Sequence, residues 1–222
     1  MNTINSLLNL HHKTSYLFGR ELVAFLKVTT VITFLVALCQ LNFEGFVFDR
    51  TAITDGEYWR LVTCHFTHSS FSHGFWDVLA LAGSIVWLAR YSPRMIIPAV
   101  VSGIVAVSFL LLSKVSPLEY YCGLSGILFS PLIVAAYIHL KHHKGFTGIA
   151  PFIVISTKLM VDLISQNTMF VHSDWYAYPE SHLAGAMAGA IIIYSDKCIE
   201  VLKNRTQRKN YFAILARQKG GR

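Results

Sequence analysis

The sequence predicts an all-α polytopic membrane protein, a six-helix bundle that crosses the bilayer and carries an interfacial first loop. Three observations lead there. Of 222 residues, 54% are hydrophobic and only 14% are charged, too apolar a balance for a water-soluble domain of this length. Apolar stretches able to cross a hydrocarbon core of about 30 Å recur along the chain. Lys and Arg collect in alternate connections, the asymmetry that orients membrane proteins.

Taken in order, residues 1–21 form a polar segment without the compact apolar region and small-residue cleavage site of a removable signal peptide. The spans follow at residues 22–41, 72–89, 95–112, 120–140, 146–164 and 182–194. The sixth is short, so it needs an interior position or an extension at either end. Between the first two spans, Phe43, Phe46, Phe48, Tyr58 and Trp59 make a connection too aromatic for a solvated loop, and short interfacial helices are expected there. Residues 197–222 are a basic tail, leaving residues 22–196 as one membrane domain. No internal repeat of the kind transporters use is visible.

Lys13, Arg20, Arg90, Arg94, Lys141, Lys144 and the tail fall on one side, and Arg50, Arg60 and Lys114 on the other. Both termini are therefore expected in the cytoplasm, with a bacterial inner membrane as the default location. The net charge of +7 is accounted for by this asymmetry, so the tail suits anionic lipid and no nucleic-acid partner is expected. Cys39, Cys64, Cys122 and Cys198 show no paired spacing, and no structural disulfide is expected.

Depth along each span can be counted from its basic anchor. Ser125 stands 16 residues from Lys141, His182 15 from Lys197 and His73 17 from Arg90, so all three share a layer roughly 22 to 26 Å from the cytoplasmic boundary. Each also sits near a helix N-terminus, where backbone N–H groups lack partners. A serine hydroxyl becomes a nucleophile when a base takes its proton, and histidine suits that task. Ser125 and His182 fit as a dyad, with free N–H groups at the serine turn and a donor from His73 available to an oxyanion. Gly123 and Gly126 allow close approach of a substrate backbone. Gly185 and Gly189, with Ala184 and Ala188, give the sixth span a small-residue face for tight packing on the fourth.

These residues make the chain resemble the rhomboid intramembrane serine proteases over most of its length, which implies a rhomboid-like six-helix bundle. The resemblance makes Ser125, in Gly123-Leu124-Ser125-Gly126, the nucleophile and His182 the base. His68 and His73 match the histidines entering the second span, with His73 implied as an oxyanion donor beside Leu124 and Gly123. Trp59-Arg60 resembles the family pair in the first loop. Phe129 takes the place of the aromatic that packs on the catalytic imidazole. No cofactor is implied, and the implied partners are membrane-anchored protein substrates within the lipid bilayer. Lys158 and Asp162, one turn apart, are similar to the rhombosortase branch, which is associated with Gly-Gly-containing C-terminal anchors.

Two positions depart from the pattern. Asp77 stands where the family usually has asparagine, and an ionised carboxylate there repels an oxyanion, so either the carboxyl is protonated in its apolar setting or it faces another partner. The protonated form is the expectation. Cys64 replaces a frequent histidine, with His65 beside it. Plainer readings stand against each residue: a packing motif for Gly-x-Ser-Gly, a bonded packing residue for His182, an interfacial anchor for Trp59, core for Phe129 and mutual neutralisation for Lys158 and Asp162. Zinc at His65, His68 and His73, or at His142-His143, lacks a matching ligand pattern. The competing class is a non-catalytic rhomboid-like protein that binds transmembrane segments.

Overall fold

The computed structural model describes the backbone of residues 2–166 and 177–219, and side chains chiefly in 19–166 and 177–201. The side chains of Lys13 and of the Lys and Arg residues beyond residue 201 lie outside the described residues. Among the described residues six helices are long: α1 (Asn2–Gln40), α5 (Phe71–Tyr91), α6 (Ile96–Leu112), α7 (Ser125–His142), α8 (Phe146–Ser165) and α9 (Pro179–Lys219). The helical backbone of α1 and α9 runs unbroken past residues 21 and 196. The first loop holds the short helices α2 (Phe43–Phe46), α3 (Arg50–Thr54) and α4 (Arg60–Thr63) and a 3-10 turn at Cys64–Phe66.

The fold is all-α and polytopic. Large apolar side chains such as Phe34, Ile97, Phe109, Val154 and Ile164 point outward, Ile97 being 75% exposed, an inside-out surface that suits lipid contact. Four stretches, Gly19–Gln40, Phe71–Tyr91, Pro93–Leu112 and Phe146–Ser165, are long and apolar enough to cross a membrane. Helices α7 and α9 fall outside that set. α7 sits at the centre, packed by α5, α6, α8 and α9, and its buried residues include Ser130 and Pro131; a helix wrapped by others needs no apolar exterior.

The fourth span starts later than the sequence indicates. Tyr120–Tyr121 forms β2, paired antiparallel with β1 (Phe48–Asp49) in the register Phe48↔Tyr121 and Asp49↔Tyr120. Gly123 then takes φ +120, closed to other side chains, and the helix begins at Ser125. The first loop is thus tied to the strand that leads into the serine.

That loop is braced by its own side chains. Arg60 is 7% exposed; it pairs with Glu57 at 2.6 Å and donates to the carbonyls of Glu44 (2.6 Å) and Val47 (2.9 Å). Trp59, half exposed, donates to Gly45 O at 3.1 Å. The pair braces the loop. Arg50 donates to Leu111 O at 2.7 Å, in the last turn of α6, and to Ser116 O at 3.1 Å in the connection after it. At the opposite end of that helix Arg94 pairs with Asp196 at 3.1 Å, and Lys141 and Lys197 both lie 4.9 Å from the Tyr137 ring. The two basic groups read from the sequence therefore occupy opposite ends of the bundle. The four cysteines are free thiols.

His65, fully buried, donates to Ser108 Oγ at 3.2 Å while Ser108 donates to Leu61 O at 2.7 Å. Burial lowers its pKa from 6.5 to about 4, so the ring is neutral in the folded protein at physiological pH. Between those values the unfolded chain binds a proton that the folded one does not, and stability falls as pH drops through this window, by up to about 3 kcal/mol. His65→Asn is expected to flatten the pH dependence of thermal unfolding between pH 7 and 4; an unchanged slope refutes this.

Candidate active site

Ser125 opens α7 and is partly buried. Its backbone N–H donates to Asp77 Oδ2 at 3.0 Å. The same oxygen lies 3.3 Å from His68 Nε2 and 3.3 Å from His73 Nε2. Ser70 caps α5 by accepting from His73 N at 3.2 Å, which sets the helix start so that His73 and Asp77 share a face one turn apart. His73 accepts from Ser69 Oγ at Nδ1 (3.2 Å), leaving the proton on Nε2 toward Asp77. The rings of His68 and His73 meet edge to face at 4.9 Å. Gln40, at the end of α1, accepts from His68 N (3.1 Å) and donates to His68 O (3.0 Å). The expectation of a protonated Asp77 in a purely apolar setting is corrected here, because its carboxylate faces the Ser125 N–H and two imidazole nitrogens. Nothing in the residue spacing indicates that the Ser125 amide and two imidazole nitrogens converge on one carboxylate oxygen.

Leu124 is fully buried. At Gly123 a Cβ would stand 2.7 Å from His73 Nε2, so glycine is required there by space as well as by φ. A Cβ on Gly185 would overlap the carbonyl oxygen of Gly126, and one on Gly189 would stand 2.6 Å from Ser130 O. Helix α9 therefore lies backbone to backbone on α7 along its small-residue face, one turn after His182 and directly after Ser125.

His182 is 3% exposed. Its ring stacks on Phe129 with centroids 4.9 Å apart and planes 24° apart, and its Nδ1 donates to Asp162 Oδ2 at 2.9 Å. Asp162 is fully buried on α8 and also receives Lys158 Nζ, at 2.6 Å on Oδ1 and more closely on Oδ2. Sequence reasoning reached the Lys158–Asp162 pair but not its contact with His182. The available signal was a buried carboxylate in a span, which demands more than one partner.

The residues fall into two groups around the serine: the His68, His73 and Asp77 cluster on its amide side, and the Phe129, His182 and Asp162 group on the α9 side. Ligand atoms of His68, His73 and Asp77 lie within 4.8 Å of one another, spacing that a divalent cation accepts, while the Asp77 carboxylate already accepts from the Ser125 amide. His65 faces Ser108 instead, and His139 and His143 bond to Tyr91 Oη, with His142 stacked on that ring. Cys64 is fully buried, and burial pushes its thiol well above the ordinary value, which removes it as a rival nucleophile. An apolar cavity of about 520 Å³ between α1 and α5 reaches the cluster, with His68, Ser69 and Ser70 in its wall.

The family model for the Rhomboid domain matches residues 55–196, well over half of the chain and all of the groups just described. The chain belongs to the rhomboid family. No curated protein matches it. Rhomboids are generally intramembrane serine proteases acting on membrane proteins, and this rhomboid is an integral membrane protein whose matched region runs from within the first loop into α9.

Proposed function

We propose that this rhomboid is an intramembrane serine endopeptidase in which Ser125 is the nucleophile and His182 its base. The observation that carries the reading is the glycine contact between α7 and α9: Gly126 follows Ser125, Gly185 lies one turn beyond His182, and their backbones touch. In acylation, Ser125 Oγ bonds to the scissile carbonyl carbon as its proton passes to His182 Nε2, and that proton then leaves on the amine as the C–N bond breaks. Water reverses the sequence to release the acid. His73 and the amide at Ser125 are the donors for the oxyanion. The polar run Ser69, Ser70, Ser72 with His68 supplies a wet mouth, and no cofactor enters.

The substrate class is a membrane-anchored protein; the rhombosortase resemblance narrows it to one with a Gly-Gly-containing C-terminal anchor. Both termini lie in the cytoplasm of a bacterial inner membrane on this reading. The test is cleavage of an anchored reporter co-reconstituted in liposomes, with and without the Gly-Gly. Products with wild type and none with Ser125→Ala support the reading, and no products from either oppose it.

One observation favours a second reading, a rhomboid that binds transmembrane segments without cutting them: Asp77 occupies the very amide an oxyanion needs. Asp77→Asn tests whether the carboxylate blocks the site. An asparagine keeps an acceptor for the two histidines and offers its amide to the oxyanion, so serine labelling at neutral pH is expected to equal or exceed that of wild type. A loss of labelling means the carboxylate itself is needed.

A further inference from the structure

We infer that Asp162, held by Lys158, is a positioning residue for His182, so that the site works as a Ser-His-Asp relay; this rests on the reading of Ser125 and His182 as nucleophile and base. Charge balance alone does not explain the arrangement. A buried carboxylate needs a cation, and Lys158, on the same helix and four residues away, contacts both oxygens of Asp162. The side chain of Lys158 is 31% exposed, while that of Asp162 is fully buried. Asp162 nevertheless reaches across to α9 and takes the Nδ1 proton of His182 at 2.9 Å.

That third contact has a chemical consequence. A neutral imidazole carries one N–H, and an ionised carboxylate only accepts. With the proton on Nδ1 facing Asp162, Nε2 holds the lone pair that a base requires. Phe129 fixes the plane of the ring by stacking, and Asp162 fixes its rotation within that plane. When Nε2 takes the proton of Ser125 Oγ, the imidazolium forms beside a carboxylate already in place, and Asp162 itself gains no proton. Lys158 keeps the carboxylate oriented; it does not touch the reacting atoms.

Two measurements test this. The first is the rate of fluorophosphonate labelling in Asp162→Asn, Asp162→Glu and the charge-balanced pair Lys158→Met with Asp162→Asn, each checked for folding by its thermal midpoint. Asp162→Asn is expected to label about 10²- to 10⁴-fold more slowly than wild type, as loss of the carboxylate costs in serine-histidine-aspartate sites generally. Asp162→Glu regains part of that rate, and the charge-balanced pair stays slow although its stability is restored. The second is the ¹⁵N spectrum of histidine-labelled protein, assigned by His182→Gln: His182 carries its proton on Nδ1 in wild type and loses that signature in Asp162→Asn. Wild-type labelling rates in folded Asp162→Asn, or a proton on Nε2 in wild type, overturn the relay and leave the dyad standing. A folded wild type that never labels refutes the nucleophile reading and the relay with it.

Discussion

Replacing His182 with alanine is expected to slow fluorophosphonate labelling of Ser125 at least 10³-fold without unfolding the protein. Loss of the base in serine hydrolases costs nearly as much as loss of the whole machinery. The side chain is nearly fully buried, yet its removal vacates a slot bounded by Phe129 on one face and Asp162 at one edge. Imidazole added from solution fits that slot and is expected to restore part of the rate in His182→Ala, with no effect on Ser125→Ala. A purely structural histidine predicts otherwise: labelling in His182→Ala then tracks its thermal stability and ignores imidazole.

The second large effect concerns packing. Gly185→Val brings two methyl groups against the carbonyl of Gly126, where even a Cβ overlaps. Backbone cannot yield as a flexible side chain does, and overpacking of this kind costs on the order of 3 kcal/mol. The wedge also moves His182, one turn away, from the serine helix. A lower thermal midpoint in detergent together with slower labelling is the expected result. Gly83→Ala is the matched control, because nothing lies within 4 Å of a Cβ there and alanine favours a helix by about 1 kcal/mol. Equal midpoints for Gly185→Val and wild type contradict the close α7–α9 contact.

Much of this architecture is legible in the sequence because the bilayer enforces it. Apolar length and the segregation of Lys and Arg foretell the bundle, and Arg94 with Asp196 at one end and Arg50 with Ser116 at the other mark the two faces. Counting from basic anchors gives depth, which groups Ser125, His73 and His182. Depth is a single coordinate, however. The rotation of α5 and α8 about their own axes decides that Asp77 meets His68, His73 and the Ser125 amide, and that Asp162 meets His182, and no periodicity in nearly uniform apolar helices reveals it. The pairing of Phe48–Asp49 with Tyr120–Tyr121 escaped for another reason: two-residue strands far apart in the chain carry too few alternations to register.

Whether Ser125 is an activated nucleophile is read by intact-mass analysis of the solubilised protein after fluorophosphonate treatment. One adduct is expected, mapped to the peptide containing Ser125 and absent from Ser125→Ala. A folded wild type that stays unmodified in both detergent and lipid, under conditions where an active rhomboid is labelled, or an adduct that survives Ser125→Ala, contradicts it.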